Sequence, residues 1–192
     1  DSAITIVEAP SGFGKTTALA TWAHARTRTA WLTLTDQHRT PLPLLAGIIS
    51  SLIRIYPGNA VLEAEMLRVR TGEVPLDSAI ERIIDAIPEG SPTVVVVDDA
   101  QETTREALVA AAVPLARHSR GHLRFIIAGT SSLSRSLSRE LAKGDAHRLA
   151  PDAFAFTHEE MVKIASRWGV DDESLHEAGR CLWEETRGWP VA

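Results

Sequence analysis

The sequence predicts an α/β fold: a five-stranded parallel sheet with helices on both faces, followed by a small helical appendage. Three observations carry this. Short apolar, β-branched runs alternate with helical stretches as far as Leu149, and that alternation assembles parallel sheets covered on both sides. Val94 to Val97 is continuously apolar between turn signals, as in a strand buried on both faces. After Thr157 only helical signals remain.

The first strand is Ile4-Thr5-Ile6-Val7, and residues 18–23 read as helix. Residues 30–34 form the second strand candidate. Residues 41–56 carry Leu44, Leu45, Ile48, Ile49, Leu52, Ile53 and Tyr56 as a helical stripe stopped by Pro57-Gly58. Helices are predicted over 61–69 and 76–87, a strand over 93–97, a helix over 102–118 and a strand over 123–128. A helix over 134–142 and a short strand at Arg148-Leu149 complete the first domain, residues 1–155. In the appendage, residues 156–192, Thr157-His158-Glu159-Glu160 has capping-box spacing for a helix to Trp168. Asp171 is placed to cap a second helix, with Gly188 at its C-terminal stop.

Between the first strand and its helix lies Glu8-Ala9-Pro10-Ser11-Gly12-Phe13-Gly14-Lys15-Thr16-Thr17. A strand, a glycine-rich loop ending in Gly-Lys-Thr and a helix make a phosphate-binding loop. Gly12 and Gly14 let backbone N–H groups turn inward around a phosphate, whereas Pro10 has no N–H to give. The cofactor-binding residues are therefore Ser11, Gly12, Phe13, Gly14, Lys15, Thr16 and Thr17, the last three at a helix N-terminus that favours an anion. Lys15 supplies charge to the β- and γ-phosphates, and the Thr16 hydroxyl is placed to ligate Mg2+. The first glycine of the usual pattern is replaced by Ala9, which is still small.

Asp98-Asp99 follows the buried run of valines, at the strand exit where α/β sheets place ligands. Asp98 is expected to hold Mg2+ and Asp99 to polarise the attacking water. An alternative is that Asp99 caps the next helix, with Glu102 completing a box. An acid beside the metal ligand also predicts the branch of P-loop folds (ASCE) in which strand 123–128 lies between the loop-bearing strand and the Asp98 strand.

The net charge of −5 gives no support for nucleic-acid binding by this segment. No apolar run is long enough to span a membrane and no signal peptide is seen, so a cytoplasmic location is expected. The single cysteine, Cys181, excludes an internal disulfide, and its place beside Leu182 and Trp183 predicts a small core residue. His24, His118 and His158 read as solvated helix positions, and Trp22 and Trp31 as packing residues. Arg135 and Arg139 share a helix face, more simply solvated than a phosphate clamp. The chain opens without Met just before its first strand and stops just past its last helix, which predicts a piece of a longer protein.

The phosphate loop with Trp22 behind it, Ala30-Trp31-Leu32-Thr33-Leu34, Val97-Asp98-Asp99-Ala100-Gln101, residues 123–130 and Thr186-Arg187-Gly188-Trp189-Pro190 occur in a particular order. In that order they resemble the ATPase module of signal-transduction ATPases with numerous domains (STAND). Within these, the match is to large ATP-binding LuxR-type regulators of the maltose-regulon activator kind. The resemblance implies a slow Mg-dependent ATPase acting as a switch, with an ADP-bound resting form and a self-associating ATP form. It also implies a separate C-terminal DNA-binding domain. Gly188-Trp189-Pro190 resembles the family's Gly-x-Pro motif, whose proline, here Pro190, approaches the base; an ordinary helix stop is the alternative. The family often carries an Arg after the fourth strand, where this chain has Ala128-Gly129-Thr130-Ser131. That departure keeps a non-hydrolysing ADP-binding assembly module open. A P-loop small-molecule kinase would need a lid with arginines; residues 62–75 contain Arg68 and Arg70 but read as amphipathic helix plus turn.

Overall fold

The computed structural model describes residues 2–26, 28–90, 92–130, 132–169 and 174–188. Strands β1 (Ile4–Glu8), β2 (Thr29–Thr33), β3 (Thr93–Asp98), β4 (Leu123–Gly129) and β5 (Ala146–Leu149) form one sheet in the order β2-β3-β4-β1-β5. Every pairing is parallel. β4 lies between the loop-bearing strand and the Asp98 strand, as the acidic pair predicted. Its register, Val7 beside Ala128 and Glu8 beside Gly129, brings the ends of β1 and β4 to one edge.

Strand alternation sends two sets of side chains to opposite faces. Ile4, Ile6, Val95, Val97, Leu123, Phe125 and Ile127 enter the main core. That core is closed by α2 (Pro41–Ile55), α3 (Ala60–Thr71) and α4 (Leu76–Ala86), with Leu44, Leu45, Ile48, Leu62, Ile80 and Ile83 all buried. On the other face α1 (Lys15–His24) supplies Leu19 to a smaller cluster with Val7, Val96 and Ala128. Trp31 packs at its margin; Trp22 is half-buried, with the Arg26 guanidinium 4.0 Å over its ring. Glu65 is buried between α3 and α4, where it takes Arg82 at 2.5 Å and Arg68 at 3.5 Å. Arg68 is thus engaged within that helix pair.

The predicted helix over 102–118 is corrected. A single turn, Ala100–Glu102, comes first, and helical structure restarts at α5 (Arg105–Ala107) behind the Thr104 hydroxyl, which accepts from the Ala107 N–H at 3.1 Å. A π-helical turn, Leu108–Ala112, then leads into α6 (Val113–His118). Pro114 has no N–H to continue an α-helical ladder, and the wider turn before it accommodates that loss. The helix predicted over 134–142 is two, α7 (Leu133–Ser136) and α8 (Ser138–Lys143), broken at the fully buried Leu137. Arg135 and Arg139 therefore share no continuous helix. His24, His118 and His158 are exposed as predicted.

After Phe154, helices α9 (His158–Arg167) and α10 (Leu175–Thr186) pack on each other through Gly179. A Cβ there would stand 2.4 Å from Val162 Cγ2 and 2.9 Å from Val162 Cα, so only glycine permits this approach. The capping box at Thr157 forms: its hydroxyl accepts from the Glu160 N–H, and Glu160 accepts from the Thr157 N–H at 2.8 Å. Cys181 is exposed, contrary to the core position predicted for it; α10 turns that side outward. Asp171, Trp189 and Pro190 lie outside the described residues.

Candidate nucleotide site

The loop after β1 is shaped by two residues in the left-handed region, Gly12 at φ 84° and Gly14 at φ 71°. Most side chains are strained there. Gly14 is also the N-cap of α1, so no side chain occupies the cap, and the first turn holds no acid. The first intrahelical bond runs from the Ala18 N–H to the Gly14 carbonyl at 2.8 Å. The N–H groups of Lys15, Thr16 and Thr17 are consequently without a helical acceptor, as at any helix start. Ser11, Thr16 and Thr17 are exposed, while Gly12, Phe13, Gly14 and Lys15 are half-buried.

The Lys15 ammonium folds back over the loop and donates to the carbonyls of Ala9 at 2.8 Å and Pro10 at 3.0 Å. Its pKa is lowered from the usual lysine value by burial, partly offset by the charges of Asp98 and Asp99. The cation is thus partly desolvated, and an incoming polyphosphate would favour its charged form.

Asp98 ends β3 at 1% exposure. Its Oδ2 accepts from Thr16 Oγ1 at 2.8 Å and its Oδ1 from the Asp99 N–H at 3.0 Å. Its carbonyl takes the Leu34 N–H at 2.9 Å, which ties the site to the exit of β2. A buried carboxylate beside a hydroxyl is a hard-oxygen pair suited to Mg2+, and the polar loop suits phosphate oxygens. The donor chemistry fits both groups.

Asp99 does not cap. Its φ is 57°, left-handed without being glycine, and its side chain makes no cap bond; the Glu102 N–H goes instead to the Asp99 carbonyl at 2.9 Å. Its Oδ1 accepts from Gln101 Nε2 at 3.0 Å. Gln101 and Arg105 belong to the site's surroundings; from sequence Gln101 appeared only as the end of the Val97–Gln101 run, with no role, and Arg105 was not singled out. Both border a cavity of about 70 Å3 with Thr130, Ser132 and Ser136 at the exit of β4. For Gln101 the signal was its place in the run that follows the acidic pair, two residues after Asp99. Arg105 needed the fold, since its Nε donates to the Ser136 carbonyl at 2.9 Å.

At the other end, Gly188 has φ 78°, and a Cβ on it would meet the Phe156 carbonyl at 2.4 Å. The Phe156 N–H donates to the Gly188 carbonyl at 2.9 Å. Gly188 thus joins the end of α10 to the segment leading from β5.

The sheet order, the loop on β1 and the acid at the end of β3 define a P-loop nucleotide-binding domain of the AAA type. The chain belongs to the AAA domain family, whose pattern matches residues 1–137. Over 98% of its length it is 22% identical to the HTH-type transcriptional regulator MalT of Serratia proteamaculans (strain 568) and 24% identical to MalT of Yersinia pestis (strain Pestoides F). The module is MalT-like, and it spans 21% of the length of those relatives. A chain in the structure of Drosophila ORC bound to AT-rich DNA and Cdc6 superposes with a TM-score of 0.50 at 10% identity. That superposition covers 95% of this chain and 69% of the other, and bears on the fold alone. No helix of the described residues is long and apolar enough to cross a membrane.

Proposed function

We propose that this module is the ATP/ADP-binding switch of a multidomain transcriptional regulator, and that it hydrolyses ATP slowly. The observation that carries the reading is the Thr16–Asp98 hydrogen bond, which joins the phosphate loop and the acidic strand end into one oxygen-rich edge. Residues 11–17 would hold the phosphates, with Lys15 leaving the Ala9 and Pro10 carbonyls for phosphate oxygens. Thr16 and Asp98 would hold Mg2+, which when bound neutralises phosphate charge. Asp99 would orient and accept a proton from the attacking water.

The functional division runs 1–155 for the nucleotide domain and 156–192 for the appendage. The supporting observation is that the two core clusters of the sheet take no described residue after Phe154. The Phe156–Gly188 junction then carries nucleotide state to the appendage, with Pro190 toward the base. The reading includes self-association in the ATP form, as the resemblance to STAND ATPases implies, and DNA binding by another domain, which the likeness to an HTH-type transcriptional regulator supports.

A second reading, an ADP-holding module without turnover, is favoured by one observation: the β4 exit presents Thr130 rather than an arginine. The test is the mass of the full-length protein in solution with ADP and with ATP, beside single-turnover hydrolysis. A larger ATP form with slow turnover supports the switch. One mass in both nucleotides contradicts it, and an ATP-dependent mass without turnover selects the second reading.

A further inference from the structure

We infer that Gln101 is the positioning residue of Asp99, orienting that carboxylate through its side-chain amide while its amide oxygen lies beside the exit of β4. The inference rests on the reading of Asp99 as the residue that orients water. Three observations meet here. Asp99 is in the left-handed region at φ 57°, a conformation costing a non-glycine residue roughly 1 kcal/mol. That backbone is pinned on both sides, by the Asp99 N–H on Asp98 Oδ1 at 3.0 Å and by the Glu102 N–H on the Asp99 carbonyl at 2.9 Å. Pinning the backbone leaves the carboxylate free to rotate about its own bonds. The bond from Gln101 Nε2 to Asp99 Oδ1 at 3.0 Å restricts that freedom.

A surface glutamine would ordinarily be too mobile for such a task, and Gln101 is exposed. Its amide oxygen, however, lies 3.4 Å from where a Cβ on Gly129 would stand, with Ala100 Cβ at 3.4 Å and Leu133 Cδ2 at 3.3 Å from the same point. A Cβ at Gly129 would thus come into van der Waals contact with that oxygen, which places the Gln101 amide beside the last residue of β4. The amide therefore spans from the Asp99 carboxylate to the last residue of β4, and engages Oδ1 while leaving Oδ2 to act on water. A donor to a carboxylate is a charge-assisted bond, stronger than a neutral one and directional.

The test uses the full-length protein. Gln101→Leu, which keeps bulk and removes the donor, is expected to lower single-turnover hydrolysis about tenfold with ATP affinity unchanged, the scale of one charge-assisted hydrogen bond. In an Asp99→Asn background the same change is expected to have no further effect, as a double-mutant cycle requires of coupled residues. Gln101→His, which restores a donor, is expected to recover part of the rate. Without nucleotide, the Gln101 side-chain amide protons are expected to move in the NMR spectrum on Asp99→Asn and not on Glu102→Gln.

Unchanged turnover in Gln101→Leu beside a slow Asp99→Asn would overturn the role of Gln101 alone. Full turnover in Asp99→Asn, or none in the unaltered protein, would remove the hydrolytic reading and this role with it. Amide protons unmoved by Asp99→Asn would contradict the contact itself.

Discussion

The Thr16 hydroxyl donates to Asp98 Oδ2 at 2.8 Å although the two residues are 82 positions apart. Parallel pairing of β3 with β4 and β4 with β1 sets this distance, because both residues follow or end strands whose C-terminal ends share an edge. The pair is brought together without any ligand, so if it holds Mg2+ as proposed, a variant that removes one member should be felt only when Mg2+ is present. Thr16→Val is expected to weaken Mg-ATP binding at least tenfold, the scale seen when metal-site partners are lost. Binding in EDTA should change little. Titration with and without Mg2+ checks this; equal weakening in both would mean that Thr16 acts on the loop and not through the metal.

The lowered pKa of Lys15 gives a pH dependence with a definite sign. Burial disfavours the ammonium in the free protein, and bound phosphates favour it, so binding raises the pKa. Affinity should therefore be flat at neutral pH and fall as pH rises through the free-state value, below the usual lysine range. For folding the sign is opposite: the unfolded chain binds more protons in that window, so stability without nucleotide rises with pH there. Affinity and melting temperature measured from neutral to alkaline pH should move in opposite directions.

Gly179→Ala should separate the appendage from the nucleotide domain. The new methyl would stand 2.4 Å from Val162 Cγ2 and 3.0 Å or less from two backbone atoms of Val162, so α9 and α10 must move apart. Overpacking of this kind costs about 1–3 kcal/mol. Loss of helix protection in hydrogen exchange over α9 and α10, with the sheet unchanged and nucleotide affinity kept, is the expected result. Equal loss of protection in β1 and β4 would contradict the division at 155/156.

Thr157→Ala tests the capping box. The Thr157 N–H and hydroxyl hold Glu160 below its usual pKa. A depressed carboxylate contributes stability that is present above its unfolded value and lost as pH falls through the folded one. The substitution should lower stability at neutral pH by about 1 kcal/mol. It should also flatten part of the loss on acidification, since the backbone N–H at 157, the larger cause of the shift, remains; thermal melts at neutral and acid pH would reveal this.

Much of this was legible in the sequence because the signals were local. Valine runs marked β3, Gly12 and Gly14 marked the loop, and Thr157 with Glu160 marked a helix start. Topology followed from chemistry, since Asp99 beside Asp98 implied the strand between β1 and β3. What escaped was set by distant contacts. The Thr103 and Thr104 hydroxyls bond to the carbonyls of His38 and Arg39, which delays the helix that Glu102 was expected to begin. Asp99 had the right spacing for a cap, but its left-handed backbone, bonded on both sides, gives its side chain to Gln101 instead. The outward turn of Cys181 likewise depends on which face of α10 meets α9.

The central claim is that the loop on β1 holds a nucleotide's phosphates through Lys15 and the amides that follow it. ATP and ADP titration of the full-length protein and of its Lys15→Ala variant, at neutral pH with Mg2+, tests it most directly. The account predicts that the variant binds both nucleotides at least about tenfold more weakly, the minimum for losing a partly buried charge partner. Equal affinities in the two proteins would contradict it.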